Sequence, residues 1–195
     1  MALVIGNGES RANVNINNIT QTKFGCNAIL RDFWVNHLIC VDRKMVREAV
    51  NSDYNGIIYT RKDWYNEFQD NKNVHIVPQL PYEGTERADD PFHWGSGPYA
   101  VLLASLLTNE WEEDINLIGF DLYSKNDRVN NIYKDSPNYN NSDHHAIDPR
   151  YWIHQIGIIF KNFTHQTYKI YSDDEWSLPK AWNNTNVSLD KLSNL

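Results

Sequence analysis

The chain holds almost no cysteine: Cys26 and Cys40 are the only two in 195 residues, and both sit in apolar runs. There is no CxxC pair and no zinc-ligand spacing, which argues against a disulfide framework or a structural zinc site. Two buried, reduced thiols are expected instead, as in a reducing compartment. Long hydrophobic runs are missing too. The longest, "YAVLLASLL", is too short to span a bilayer. The opening "MALVIGNGES" has neither a charged first region nor a long apolar one, so no signal peptide is expected and the cytoplasm is the expected location. Positive charge is in deficit, with 18 Lys and Arg against 25 Asp and Glu and a net charge of −7. Without a basic stripe, nucleic acid is not expected as the main partner.

Hydrophobic residues make up 41% and aromatics 13%, enough for a substantial core in a single domain over residues 1–195. No internal repeat or linker breaks the chain. Short β-type runs recur: "ALVIG", "TKFGC", "HLICVD", "GIIYT", "VHIVP", "INLIGFD" and "YKIYS". Most are continuously apolar without strict alternation, the pattern of strands covered on both faces. Helical patterns lie between several of them: "RKMVREAVNS", "SGPYAVLLASLLTNEW" (96–111) and "DPRYWIHQIGIIFKNF". In the last, Asp148 is the expected N-cap and Pro149 the first helical residue, with Ile153, Ile156, Phe160 and Phe163 at helical spacing. The expected fold is α/β and Rossmann-like: a mostly parallel sheet of six or seven strands with helices on both faces. Residues 122–147 carry no apolar period and follow a buried strand, so they are expected to form a lid-like loop near a ligand. The stretch 183–195 is expected to be a peripheral tail.

Candidate chemistry collects at strand ends. Gly6-Asn7-Gly8-Glu9-Ser10 follows the first strand; it is either a tight turn or a set of backbone amides for a phosphate. It lacks the third glycine of the dinucleotide fingerprint and the lysine of a P-loop. Asn27 ends the second strand, as a turn former or a ligand contact. Asp42 and Arg43 end the third; the acid suits a ribose or a helix N-cap, the arginine a phosphate or carboxylate. Gly95, Ser96 and Gly97 precede a helix and offer amides and a hydroxyl, with a plain Ser96 N-cap as the alternative. Asp121 and Tyr123 end the "INLIGFD" strand; Tyr123 is a proton donor to a leaving phosphate or a packed side chain. His144 and His145 stand beside Asp143 and Asp148. They are read as a general base, as metal ligands or as a solvated loop. His154 is expected to be structural.

The order of these elements resembles the bacterial sialyltransferases of glycosyltransferase family 42 and the related DUF115-like Rossmann proteins, over roughly residues 3–172. The resemblance implies a CMP-sugar donor as substrate, no metal and no further cofactor. It implies a donor loop of Asn7, Gly8 and Ser10, with contacts from Asn27, Ser96 and Gly97. Tyr123 and Tyr133 would stabilise the departing phosphate, and His145, or His144 beside it, would deprotonate a hydroxyl acceptor. Glu9 departs from the family, which usually has proline there; a carboxylate beside a phosphate must turn outward or pair with Arg11. The expected partners are a nucleotide sugar and a glycan or other hydroxyl acceptor, with homo-oligomers left open. Two alternatives stand beside transfer: a non-catalytic nucleotide-binding or phage-type accessory protein, and a metal-dependent hydrolase.

Overall fold

Ala2, Leu3, Val4 and Ile5 are all fully buried, yet they feed two different cores. Ala2 and Val4 join one apolar cluster; Leu3 and Ile5 join another. Successive side chains of a strand point to opposite faces, so a strand that is apolar throughout must be covered on both. In the computed structural model, which describes residues 1–108, 114–124 and 126–195, this first strand, β1 (Ala2–Ile5), is the centre of the sheet.

The other strands are β2 (Thr22–Cys26), β3 (His37–Ile39), β4 (Ile57–Thr60), β5 (Val74–Ile76), β6 (Ile115–Ile118), β7 (Tyr168–Tyr171) and β8 (Val187–Asp190). They form one sheet in the order β5-β4-β3-β2-β1-β6-β7-β8, and every pairing is parallel. The fold is thus the expected α/β, Rossmann-like one. The sheet has eight strands rather than six or seven, because the tail supplies β8 at its edge.

The helices are α1 (Arg43–Val50), α2 (Lys62–Phe68), α3 (Ser96–Thr108) and α4 (Arg150–Asn162). α3 and α4 cover one face; α1 and Phe68 of α2 cover the other. α3 is buried nearly all round, so it shows no amphipathic stripe. Residues 109–111 of its expected range lie outside the described residues. α4 starts one residue later than the sequence pattern predicts. Pro149 is its N-cap, and the Asp148 carboxylate accepts from the Arg150 amide at 2.9 Å. The alternation of side chains also parts the thiols: Cys26 faces the α3 side and Cys40 the α1 side, both free and buried.

Residues 122–147 form no helix or strand among the described residues, but they are strapped down. Tyr133 is buried in the α1-side core, with Ile132 and Tyr139 packed against it. The Ile132 amide donates to Asn7 O at 2.9 Å, and Arg31 donates to Ser136 Oγ and Pro137 O at 2.8 and 2.9 Å. Asp127, Asp135 and Asn138 take left-handed backbone conformations here, which short polar side chains tolerate best.

Candidate functional site

Strand order reverses at β1. From there the chain builds outward through β2 to β5, then returns to place β6 on the other side of β1. Open parallel sheets bind ligands outside the strand C-termini at such a switch point. A cleft of about 600 Å³ lies there, lined by residues that follow β1 (Gly6–Gly8), β2 (Asn27), β3 (Asp42) and β6 (Gly119–Leu122).

The glycine loop after β1 is a fastening. A Cβ on Gly6 would stand 2.3 Å from Gly119 O, and one on Gly8 would stand 2.4 Å from Asp121 Cγ. The Gly6 amide donates to Ile118 O and the Gly8 amide to Gly119 O, each at 2.9 Å. The Glu9 amide donates to Asn130 Oδ1 at 2.9 Å and the Ser10 amide to Asp121 Oδ2 at 2.8 Å. The Ser10 hydroxyl donates to the other oxygen of Asp121. These four amides therefore serve protein acceptors, and Ser10 lies off the cleft lining. Arg11 locks the loop from below. Its guanidinium, on a residue only 2% exposed, donates from Nε to Gly6 O at 2.6 Å and from Nη2 to Tyr133 Oη at 3.2 Å. Glu9 turns outward and pairs with Lys134, not with Arg11.

The opposite wall is the start of α3. The Ser96 hydroxyl donates to Asn27 Oδ1 at 2.9 Å and accepts from the Val41 amide at 3.2 Å, which stitches the ends of β2 and β3 to the helix. Asn27 has φ of 51°, the left-handed conformation a turn former tolerates, and also lines the cleft. A Cβ on Gly97 would meet only Phe120, at 3.4 Å. In the first turn of α3 the Ser96 and Gly97 amides have no intrahelical acceptor and border the cleft; Pro98 carries no N–H, and the Tyr99 amide donates to Gly95 O at 3.2 Å.

The remaining sequence-predicted residues divide. Asp42 lines the cleft and makes no capping bond to α1. Arg43 is off the lining; it pairs with Glu67 at 2.5 Å and ties α1 to α2. Asp121 lines the cleft, and burial raises its carboxyl above the usual carboxylate range despite the Ser10 bonds. Tyr123 is half exposed against Trp176, off the lining. Tyr133 is buried; its hydroxyl donates to Asp32 Oδ2 at 2.7 Å, and burial pushes its pKa up to about 12. His144 and His145 also lie off the lining, and His145 is 79% exposed with Nδ1 2.9 Å from Asp127 Oδ2. Among the described residues no three His, Cys, Asp or Glu side chains gather as a metal-binding group.

Sequence reasoning missed several lining residues. Arg61 directly follows β4, at the strand-end position that singled out Arg43 after β3, so the signal was there to read. Its fork binds Asp63 at 3.0 and 2.7 Å and its third nitrogen donates to Phe92 O at 2.8 Å. His93 accepts from Arg87 at 3.2 Å and meets Tyr151 edge to face. Tyr139 replaces Tyr133 at the cleft, where its hydroxyl accepts from Asn7 Nδ2 at 3.2 Å. Trp152 adds indole surface, backed by the buried Trp94. The carboxamides of Asn7, Asn27, Asn130, Asn131, Asn138 and Asn140 complete a lining rich in neutral hydrogen-bonding groups and rings. Such a lining suits hydroxyls, carbonyls and flat heterocycles; the one guanidinium among its described residues is already engaged. No protein-family model, curated protein or solved structure matches this chain significantly.

Proposed function

We propose that the cleft binds a nucleotide sugar, CMP-linked as the sialyltransferase resemblance implies, and that the protein transfers the sugar to a hydroxyl acceptor without a metal. The observation that carries this reading is a cleft at the switch point of a parallel sheet, lined by carboxamides and aromatic rings. Rings take the base, carboxamides take ribose and sugar hydroxyls, and the start of α3 supplies amide dipoles for the phosphate. Calorimetric titration with CMP, UMP and AMP tests the binding. CMP is expected to bind most tightly, and Trp152→Ala to weaken it. CMP-sialic acid cleavage then tests the transfer.

The non-catalytic accessory role is the second reading, and a specific observation favours it. The Tyr133 hydroxyl, which the resemblance places at the leaving phosphate, and the glycine-loop amides, read from the residues as either a turn or a phosphate cradle, are engaged within the protein. CMP binding with no donor cleavage in any acceptor screen would select this role. Residence in the cytoplasm belongs to the same proposal. The structure speaks only to membrane spanning: no described helix is long and apolar enough to cross a bilayer.

A further inference from the structure

If the loop histidines stand away from the cleft, a transferase needs its proton acceptor elsewhere. Among the described residues, the lining holds Cys26, whose thiol burial pushes up to about 12, and Tyr151, which meets His93 edge to face. The Asp148 carboxylate is held by Arg150 through the backbone amide at 2.9 Å and Nε at 2.6 Å, and its proton affinity is lowered by that partner. His93 already accepts a hydrogen bond from Arg87. Tyr139 Oη accepts from Asn7 and from the Ala28 amide. Asp42 is solvent-exposed and follows β3, two strands from the switch.

Asp121 differs from all of these. It follows β6 by three residues, next to β1 at the switch itself, and it lines the cleft. The bonds from the Ser10 amide and hydroxyl fix the orientation of its carboxylate. The absence of a Cβ on Gly8 gives that carboxylate its seat against the glycine loop. The groups that lower its proton affinity, Ser10 and Asn130, are neutral; burial, the largest influence, and the Asp174 carboxylate raise it. The single lone pair of His93 Nε2 is spent on Arg87, whereas the two Asp121 oxygens offer about four lone-pair sites, more than Ser10 and Asn130 fill. A partly desolvated, oriented carboxylate on a cleft-lining residue suits general-base chemistry.

We propose, resting on the transfer reading above, that Asp121 is the general base for the acceptor, with Ser10 as its positioning residue. The acceptor O–H bond breaks and its proton goes to an Asp121 oxygen. The acceptor oxygen forms a bond to the anomeric carbon as the bond from that carbon to the phosphate oxygen breaks. The electron pair leaves with the phosphate, so CMP departs, the glycoside forms, and Asp121 later releases its proton to water.

The test uses the full chain with CMP-sialic acid as donor and water or a β-galactoside as acceptor. Asp121→Asn is expected to lower turnover by about 100-fold or more while CMP affinity holds or rises, as a repelling charge is removed, and the unfolding temperature holds. In wild type, kcat/KM should fall on an acidic limb lying above the ordinary carboxylate pKa of about 3.9, and the residual activity of the variant should lack that limb. Formate should restore turnover to Asp121→Ala, which a merely structural role would not permit. Wild-type cleavage that survives in Asp121→Asn overturns the assignment alone. Joint loss of CMP affinity and thermal stability overturns it in favour of a loop buttress. No cleavage by wild type overturns the transfer reading and this assignment with it.

Discussion

Gly8 and Ser10 show how little freedom the residue scale leaves around Asp121. The Cβ of Gly8→Ala would stand 2.4 Å from the Asp121 Cγ, a carboxyl already held by two Ser10 bonds, so relief must come by moving that group. The expected cost is about 1–3 kcal/mol, read as a lower urea midpoint. Gly6→Ala meets backbone oxygen instead and should cost more. His37 gives a second test. It stacks on Phe24 at 4.6 Å, its Nδ1 is buried without a partner, and burial lowers its proton affinity. The folded pKa therefore lies below the unfolded value of 6.5. Below that value the unfolded chain takes the proton more readily, so stability falls as pH drops toward the folded pKa. His37→Phe should lose less stability than wild type between about pH 7 and pH 5 in paired denaturation curves. At this scale the sequence singled out Asn27 and Ser96 separately, one ending a strand and one opening a helix, and the structure joins them by a hydrogen bond. The sequence did not foretell that Ser10 would turn to Asp121, since a short Gly-x-Gly stretch is equally consistent with receiving an internal carboxylate or an external anion.

Among elements, those with a strong apolar period were legible and those held by tertiary context were not. α4 came through its spacing of Ile153, Ile156, Phe160 and Phe163, all of which pack into the core. α2 buries only Phe68 and β8 only Val187. Neither carries a period, and both owe their conformation to neighbours: β5 for α2, β7 for β8. The segment 122–147 was legible as a loop outside the strand ends, where parts of it now border the cleft, yet its fastening rests on single residues inside a polar stretch. Tyr133 is the main one, since its ring fills the α1-side core and its hydroxyl bridges Asp32 and Arg11. Tyr133→Phe should cost about 1–3 kcal/mol by taking a partner from the buried Arg11 guanidinium, the exposed Asp32 being free to turn to water. Tyr133→Ala, which also opens a cavity, should cost about 3–5 kcal/mol. The strap ought then to be the first site of cleavage in limited proteolysis; equal protection of 122–147 in Tyr133→Ala and wild type would show that Tyr133 is not its anchor.

For the whole molecule the decisive quantity is charge. The chain carries −7, and among the described lining residues Asp42, Asp121 and Asp148 stand against one arginine already forked to Asp63. A phosphate-bearing ligand therefore approaches through a repulsive field, and its affinity has to come from rings, carboxamides and the amides at the start of α3. Salt screens the repulsion, whose reach is about 10 Å at 0.1 M ionic strength, and leaves short, partly desolvated contacts nearly untouched. CMP affinity is thus expected to rise, or at least hold, as ionic strength increases, the reverse of a lysine- or arginine-built phosphate cradle. Uncharged cytidine should bind with an affinity that salt leaves unchanged, which separates the phosphate's share from that of the base and ribose. Calorimetry with both ligands at low and physiological salt decides it. A steep fall in CMP affinity with salt, absent for cytidine, would mean that cations gather on the phosphate, and that the engaged fork of Arg61 opens to the ligand when it binds.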